Sequence, residues 1–357
     1  MDMIKCTDLD PEPYFYINIV RVLAVLCTLS ILLALYLIIA SSDQQSKFHR
    51  MNLFVLQLSL LLFNVTFSIV AIPVSYFPMT MGYAAGLMTS SPTPCYAIIV
   101  MIIISLDMAN ISVGGLIGCR IQMTIPPQHF MKKHVQRYTT SLAVLFVVHP
   151  ISYAVMGIIT HHNVINNNPH FEMKFSCAQS VLKYAACTFD TKFMMPLIYS
   201  AFVLITIYVA YTIPLGLAAT VYGQRAFNYS PPTKLLHKRV TVQIYLQAIA
   251  ALLLFILPQL GLVSIIAFSP ANTQTFGNVC YVLLAMYGLV SSSLLIASTK
   301  AYRERMISIF RRILFFLPNK DPPAGQKSSK VFLITTYVPM KRHHNTLRIG
   351  PEFERTV

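Results

Sequence analysis

Residues 95–122 read CYAIIVMIIISLDMANISVGGLIGCRIQ, from Cys95 to Gln122. The run is long enough to cross a bilayer, which takes about 20 apolar residues. Its only charged residues are Asp107 and Arg120. It reads as a transmembrane helix that stops before Pro126-Pro127. The same signature recurs on both sides of it. Spans are expected at about Tyr16–Ala40, Met51–Phe77, Cys95–Gln122, Tyr138–Thr160, Pro196–Tyr222, Val240–Phe268 and Phe276–Ser298. A long polar loop, His161 to about Met195, separates the fourth from the fifth. The expected fold class is an all-α membrane protein, a seven-transmembrane helix bundle.

Composition points the same way. Of the 357 residues, 55% are hydrophobic and 11% charged, against about 25% charged in a soluble domain. A soluble globular domain and a disordered chain are both excluded. Residues 1–15 carry Asp2, Asp8, Asp10 and Glu12 against Lys5, whereas a signal peptide has a basic start. The first apolar block is therefore expected to be a retained span.

Lys and Arg in the short loops set the orientation. Lys47, Arg50, Arg120, Lys132, Lys133, Arg137, Arg225, Lys234, Lys238 and Arg239 make 10 on one side, against four on the other, Lys5, Lys174, Lys183 and Lys192. The richer side is cytoplasmic, so seven spans put the N-terminus outside and the C-terminus inside. Four segments follow. Residues 1–15 form an extracellular N-terminus and 16–299 the seven-transmembrane domain. Residues 300–317 form an amphipathic membrane-surface helix, and 318–357 a basic, disordered cytoplasmic tail. In the surface helix Met306, Ile309, Phe310, Ile313 and Leu314 share one side, with Arg305 and Arg312 opposite. Residues 300–357 hold 12 Lys/Arg against four Asp/Glu, so +8 of the net +15 lies there. An excess so placed suits anionic lipid on the cytoplasmic face, and no nucleic-acid partner is expected.

Asp107 is the one acid in the middle of a span. An ionised carboxylate at mid-membrane costs roughly 2.5–3.5 kcal/mol on insertion scales, so it should face the bundle interior or be neutral. Asn110 shares its face. That face could meet a polar or cationic ligand, or Asp107 could make an interhelical hydrogen bond, with Asn64 as partner. Tyr199, Gln259, Tyr281 and Tyr287 lie at outer or middle depth and are the further ligand-binding candidates, although ordinary packing explains each taken alone. Gln243 and Gln247 lie one turn apart at the inner end of the sixth span and suit packing or a switch. Pro258 divides that span midway. Proline removes a backbone donor and can kink a helix, so the inner half could swing about it.

Cys6, Cys95, Cys177 and Cys187 fall on the oxidising side. A disulfide from Cys95 would pin the long loop over the bundle. Cys177 is the preferred partner and Cys187 the other candidate, with free thiols as the alternative. The Asn-x-Ser/Thr matches at Asn64, Asn110 and Asn228 are buried in spans or cytoplasmic and should carry no glycan. No phosphate loop, zinc-protease or nucleophile-elbow motif is present. No catalytic residues, cofactor or metal site are expected, and the chain is not read as an enzyme. The seventh span has no internal Lys for a Schiff base. A small-molecule transporter or channel subunit is the alternative reading, but it should show inverted repeats or several intramembrane charges.

Four stretches carry a resemblance. They are Ile72-Pro73-Val74-Ser75-Tyr76-Phe77-Pro78 with Gly82-Tyr83-Ala84-Ala85-Gly86-Leu87; Arg120 at the inner end of the third span; Gln247 with Leu257-Pro258; and Tyr287-Gly288-Leu289-Val290-Ser291-Ser292 with Ala301-Tyr302-Arg303. In order and spacing the chain resembles the nematode serpentine chemoreceptors, most closely the class H group of the Str-type superfamily, over about residues 16–310. Gly118-Cys119 stand where that pattern has an acid and Asn, Tyr287 where it has His, and Ala301 where it has Pro. The resemblance implies a G-protein-coupled receptor of chemosensory neurons. Such a receptor would bind a small environmental chemical in the outer half of the bundle and activate a heterotrimeric G protein at the cytoplasmic face. It would sit in the plasma membrane, in the cilium of a sensory neuron, and serve olfaction. Arg120, Gln247, Pro258, Tyr302 and Arg303 are then the coupling and switch residues.

Overall fold

A computed structural model describes residues 10–40, 47–76, 81–90, 95–124, 130–164, 187–188, 242–243, 245–268 and 273–315. Among them, five helices are long and apolar enough to cross a membrane: Tyr14–Ala40, Lys47–Ala71, Ala97–Gln122, Tyr245–Ile266 and Gln274–Ser298. These are the expected first, second, third, sixth and seventh spans. The fourth lies within the helix Phe130–Val164, which contains Pro150. The expected fifth span, about Pro196–Tyr222, lies outside the described residues, as do Tyr199 and Cys177. The chain divides into two compact units, 1–310 and 311–357. Of the second, only the helical residues 311–315 are described.

The first span is apolar on both sides, as a membrane helix must be. One stripe, Val20, Ala24, Cys27, Ile31 and Ile38, is buried in the bundle. The opposite stripe, Val22, Val25 and Leu29, is 60–61% exposed. An apolar stripe that wide would be a liability in water and is the natural surface toward lipid. Against the buried stripe packs the seventh span. Gly288 permits the approach, since a Cβ there would lie 2.5 Å from the Cys27 sulfur. Small residues at helix contacts let membrane helices come close enough for dispersion to hold them.

Polar side chains tie the spans where no water can. Ser292 donates to Gln57 Oε1 at 2.8 Å, and Ser59 and Ser112 share a hydrogen bond of 2.9 Å. Asn64 donates to Thr28 Oγ1 at 2.8 Å and to the Ala24 carbonyl at 3.1 Å. Asn64, the anticipated partner of Asp107, thus ties the second span to the first.

The second span ends earlier than Phe77. Its helix runs Lys47–Asn64 and continues as a π-helix, Val65–Ala71. Ile72 then turns left-handed, with φ 42°, a conformation that β-branched residues rarely adopt. Pro73 cannot donate a helical hydrogen bond, and the chain leaves as strand β1, Pro73–Ser75. It pairs antiparallel with β2, Met81–Ala84, in the register Pro73↔Ala84, Val74↔Tyr83 and Ser75↔Gly82. Strand β3, Cys187–Thr188, adds to the other edge of β2, with Gly82 opposite Cys187. This small sheet caps the outer end. The N-terminal segment is strapped across it. Tyr76 donates to the Pro11 carbonyl at 2.8 Å, while Asp10 N–H donates to Gln274 Oε1 at 2.9 Å and Gln274 Nε2 returns a bond to the Asp10 carbonyl at 2.8 Å.

The helix after the seventh span runs Lys300–Phe315. Met306 and Ile309 pack on the core and Phe310 is exposed. Arg305 donates to the Ala40 carbonyl at the end of the first span. The Lys300–Glu304 ion pair, 3.6 Å long and solvent-exposed, adds little to stability.

Candidate functional site

Two polar ties join the third span to the sixth. The outer one is made by Asn110 Nδ2, which donates to Gln259 Oε1 at 3.1 Å. The inner one is made by Arg120 Nη1, which donates to Gln247 Oε1 at 2.6 Å. Asn110 and Arg120 are ten residues apart in sequence, roughly 15 Å along a helix. The two spans run antiparallel, so residue 110 meets 259 and residue 120 meets 247.

Between the ties the sixth span changes its winding. Residues Leu252–Ile256 form a π-helix, and Leu257–Phe268 resume the α-helix. The cause is local. Pro258 has no N–H to give the Leu254 carbonyl, and its ring crowds that carbonyl. A π turn absorbs the misfit, as such turns often do at moving parts of helices. Pro258 thus sits between the two ties, next to the outer one.

The outer tie is partly buried. Gln259 is 4% exposed and so is Asp107. Gln259 Nε2 has no hydrogen-bond partner among the described residues, whereas Asp107 has an interaction of its own within the protein. Tyr281 and Tyr287 belong to an aromatic column shared by four spans. Tyr16 and Tyr281 have ring centroids 6.3 Å apart, Tyr281 and Phe67 5.7 Å, Phe67 and Phe63 5.1 Å, Phe63 and Phe255 5.8 Å, and Phe255 and Tyr287 4.6 Å. Contacts of this geometry add about 0.5–1.5 kcal/mol each beyond area burial. The column links the capped outer end to the π segment, because Phe255 lies inside that segment. At its top the Tyr281 and Ser75 hydroxyls share a 2.9 Å bond, which joins the seventh span to the hairpin. Neither the column nor the Gln57–Ser292 bond is visible in spacing alone.

The inner tie encloses a charge. Arg120 is 2% exposed, and its Nη2 has no hydrogen-bond partner among the described residues. Tyr302 is 1% exposed and is an electrostatic neighbour of the guanidinium. Tyr302 therefore helps wall in Arg120, while Arg303 is exposed and reaches the Ala297 carbonyl at 3.4 Å. One turn before Gln247, Gln243 donates to Ser298 Oγ at 2.7 Å and holds the sixth span to the seventh. The inner ends of the third, sixth and seventh spans are thus closed around Arg120.

Of the disulfide candidates, Cys95 begins the third helix and Cys187 lies in β3. Among the described residues no group of His, Cys, Asp and Glu could hold a metal ion.

Long apolar helices tied by sparse polar contacts, with a charge enclosed at one end, define a helical membrane protein. The family model for the serpentine type 7TM GPCR chemoreceptor Srh matches residues 11–312. The chain belongs to that family, a receptor class and not an enzyme class, and its fold is a seven-transmembrane helix bundle. No curated protein matches it.

Proposed function

We propose that this receptor binds a small environmental chemical in the outer half of its bundle and activates a heterotrimeric G protein at its cytoplasmic face. One observation carries the reading: two ties join the same pair of spans on opposite sides of a proline hinge. A ligand that binds beside the outer tie acts at the hinge itself. Gln247 lies eleven residues from Pro258, roughly 16 Å along the helix. A swing of about 10° there moves Gln247 by roughly 3 Å, enough to carry its oxygen out of hydrogen-bond reach of Arg120. The ligand must bind the swung packing better than the closed one, since only differential affinity shifts such an equilibrium.

Release of the inner tie presents Arg120 to a partner. The loop charge, 10 basic residues against four, puts that end in the cytoplasm, where G proteins reside. The terminal helix then lies along the inner membrane surface with Arg303 and Arg305 near the headgroups. The receptor works in the plasma membrane, in the ciliary membrane of a nematode sensory neuron, as part of olfaction. Arg120→Ala tests the coupling role. It is expected to abolish ligand-dependent nucleotide exchange on the G protein while surface expression persists. Normal signalling by Arg120→Ala would remove Arg120 from the mechanism.

A further inference from the structure

The outer tie constrains the chemistry of the ligand. Asn110 Nδ2 gives one N–H to Gln259 Oε1 at 3.1 Å. That bond fixes which end of the Gln259 amide faces Asn110 and leaves the –NH2 end pointing away from it. Gln259 is 4% exposed, and Nε2 finds no partner among the described residues. A buried amide –NH2 with nothing to donate to is disfavoured and gains from any acceptor brought to it. Exchanging O and N in both amides keeps the tie and moves the surplus –NH2 to Asn110. The pair therefore has donors to spare in either arrangement.

Asp107 is the competing guide to the ligand. It lies one turn outward from Asn110, and a buried carboxylate would favour a cationic ligand. Asp107, however, already has an interaction within the protein, while Gln259 Nε2 has no hydrogen-bond partner among the described residues. The group still in need of a partner is a donor, not an anion.

We infer that the ligand is an uncharged molecule carrying a hydrogen-bond acceptor, a ketone or ester carbonyl oxygen, which receives an N–H from Gln259 Nε2 between the third and sixth spans. Asn110 is a positioning residue that holds the Gln259 amide with its donor turned to the ligand. The hinge at Pro258 is the residue immediately before Gln259, so an acceptor seated on Gln259 pulls directly on the segment that must move. This inference rests on the receptor reading for its consequence, but its chemistry can be tested by binding alone.

The experiment uses the full-length receptor in lipid nanodiscs. Two matched probe sets differ only in the polar group: cyclohexanone, methylcyclohexane and cyclohexylamine; and methyl benzoate, ethylbenzene and benzylamine. Ligand-induced thermal stabilisation measures binding, and nucleotide exchange on a purified G protein is followed in parallel. The ketone or the ester is expected to stabilise the wild type at concentrations where its hydrocarbon and amine counterparts do not. Gln259→Leu and Gln259→Glu are each expected to weaken that binding roughly tenfold, the worth of about one hydrogen bond. The melting temperature of each variant without probe guards against misfolding. Asn110→Ala should weaken binding less, since the donor remains and only its aim is lost. Carbonyl probes that bind no better than the hydrocarbons overturn the inference, including the case in which neither binds. So does preferential binding of an amine, or full carbonyl affinity in both Gln259 variants when they fold normally. Carbonyl binding with no change in exchange would support the ligand chemistry and count against the receptor reading. Exchange driven by amines alone would do the reverse.

Discussion

Replacing Gln247 with Leu separates the closing of the inner end from what Arg120 does afterwards. Leu matches Gln in bulk and cannot accept a hydrogen bond. The 2.6 Å bond from Arg120 Nη1 is charge-assisted and buried, and bonds to charged groups contribute about 1.5–3 kcal/mol. In the proposed mechanism the closed packing contains this bond and the swung packing does not. The whole loss therefore falls on the closed side. At room temperature it multiplies the ratio of swung to closed receptor by about 10- to 150-fold. A swung population of about 1%, within the usual range for a minor state, rises to roughly 10–60%. The assay is nucleotide exchange on the G protein in membranes without ligand, divided by the amount of receptor at the surface. Gln247→Leu should be strongly active with no ligand present. Arg120→Ala breaks the same bond yet should be silent, because it also removes the group offered to the partner. An unchanged basal rate in Gln247→Leu, with surface level and melting temperature unchanged, would refute the reasoning. The bond would then hold the helices equally in both states.

Two further predictions concern the scaffold that holds the sites. A Cβ on Gly86 would lie 2.4 Å from the Val70 carbonyl and 2.6 Å from that of Ile69. Backbone atoms cannot yield cheaply, so Gly86→Ala should destabilise the outer hairpin by about 1–3 kcal/mol and reduce receptor at the surface; normal melting and expression would show the contact to be looser. Gly288→Ala should lower the melting temperature, because its Cβ would lie 2.5 Å from the Cys27 sulfur; in a Cys27→Ala background most of that loss should return, with a coupling of roughly 0.5–3 kcal/mol in the double-mutant cycle, and simple additivity would contradict it.

Much of this arrangement is legible in the residues. Apolar runs locate the spans because a bilayer demands a fixed length of helix whose hydrogen bonds are internal. The first and seventh helices differ from their expected ranges by two residues at one end. Pro258 stands out because proline has no alternative chemistry in a helix, and the π turn lies directly before it. Asn110, Gln259, Arg120 and Gln247 are all noticed as polar groups in apolar surroundings. Which one meets which is not legible, because pairing depends on the rotation and depth of two helices over a hundred residues apart. The end of the second span differs from the expected Phe77 for another reason. Residues 72–77 are apolar enough to prolong a helix, yet Pro73 breaks the ladder and Gly82 and Gly86 allow the chain to fold back on itself. Those glycines, with Val74 and Tyr83 alternating against smaller residues, were the available sign of a hairpin. Gln57, mid-span and 0% exposed, could have been found by weighing every polar residue in a span. The Asp10–Gln274 clasp joins positions 264 apart in sequence, and no local pattern encodes it.

The most direct test of the account reconstitutes the receptor in sealed vesicles with a purified heterotrimeric G protein outside, at the receptor's basic face, and applies a panel of volatile and soluble chemicals. Nucleotide exchange and solute flux are recorded on the same preparation. At least one compound should raise exchange in the wild type and not in Arg120→Ala, with no flux of that compound or of ions. Flux or current through the wild-type protein, with exchange unmoved by every compound, would contradict the claim that this bundle is a switch and would make it a conduit.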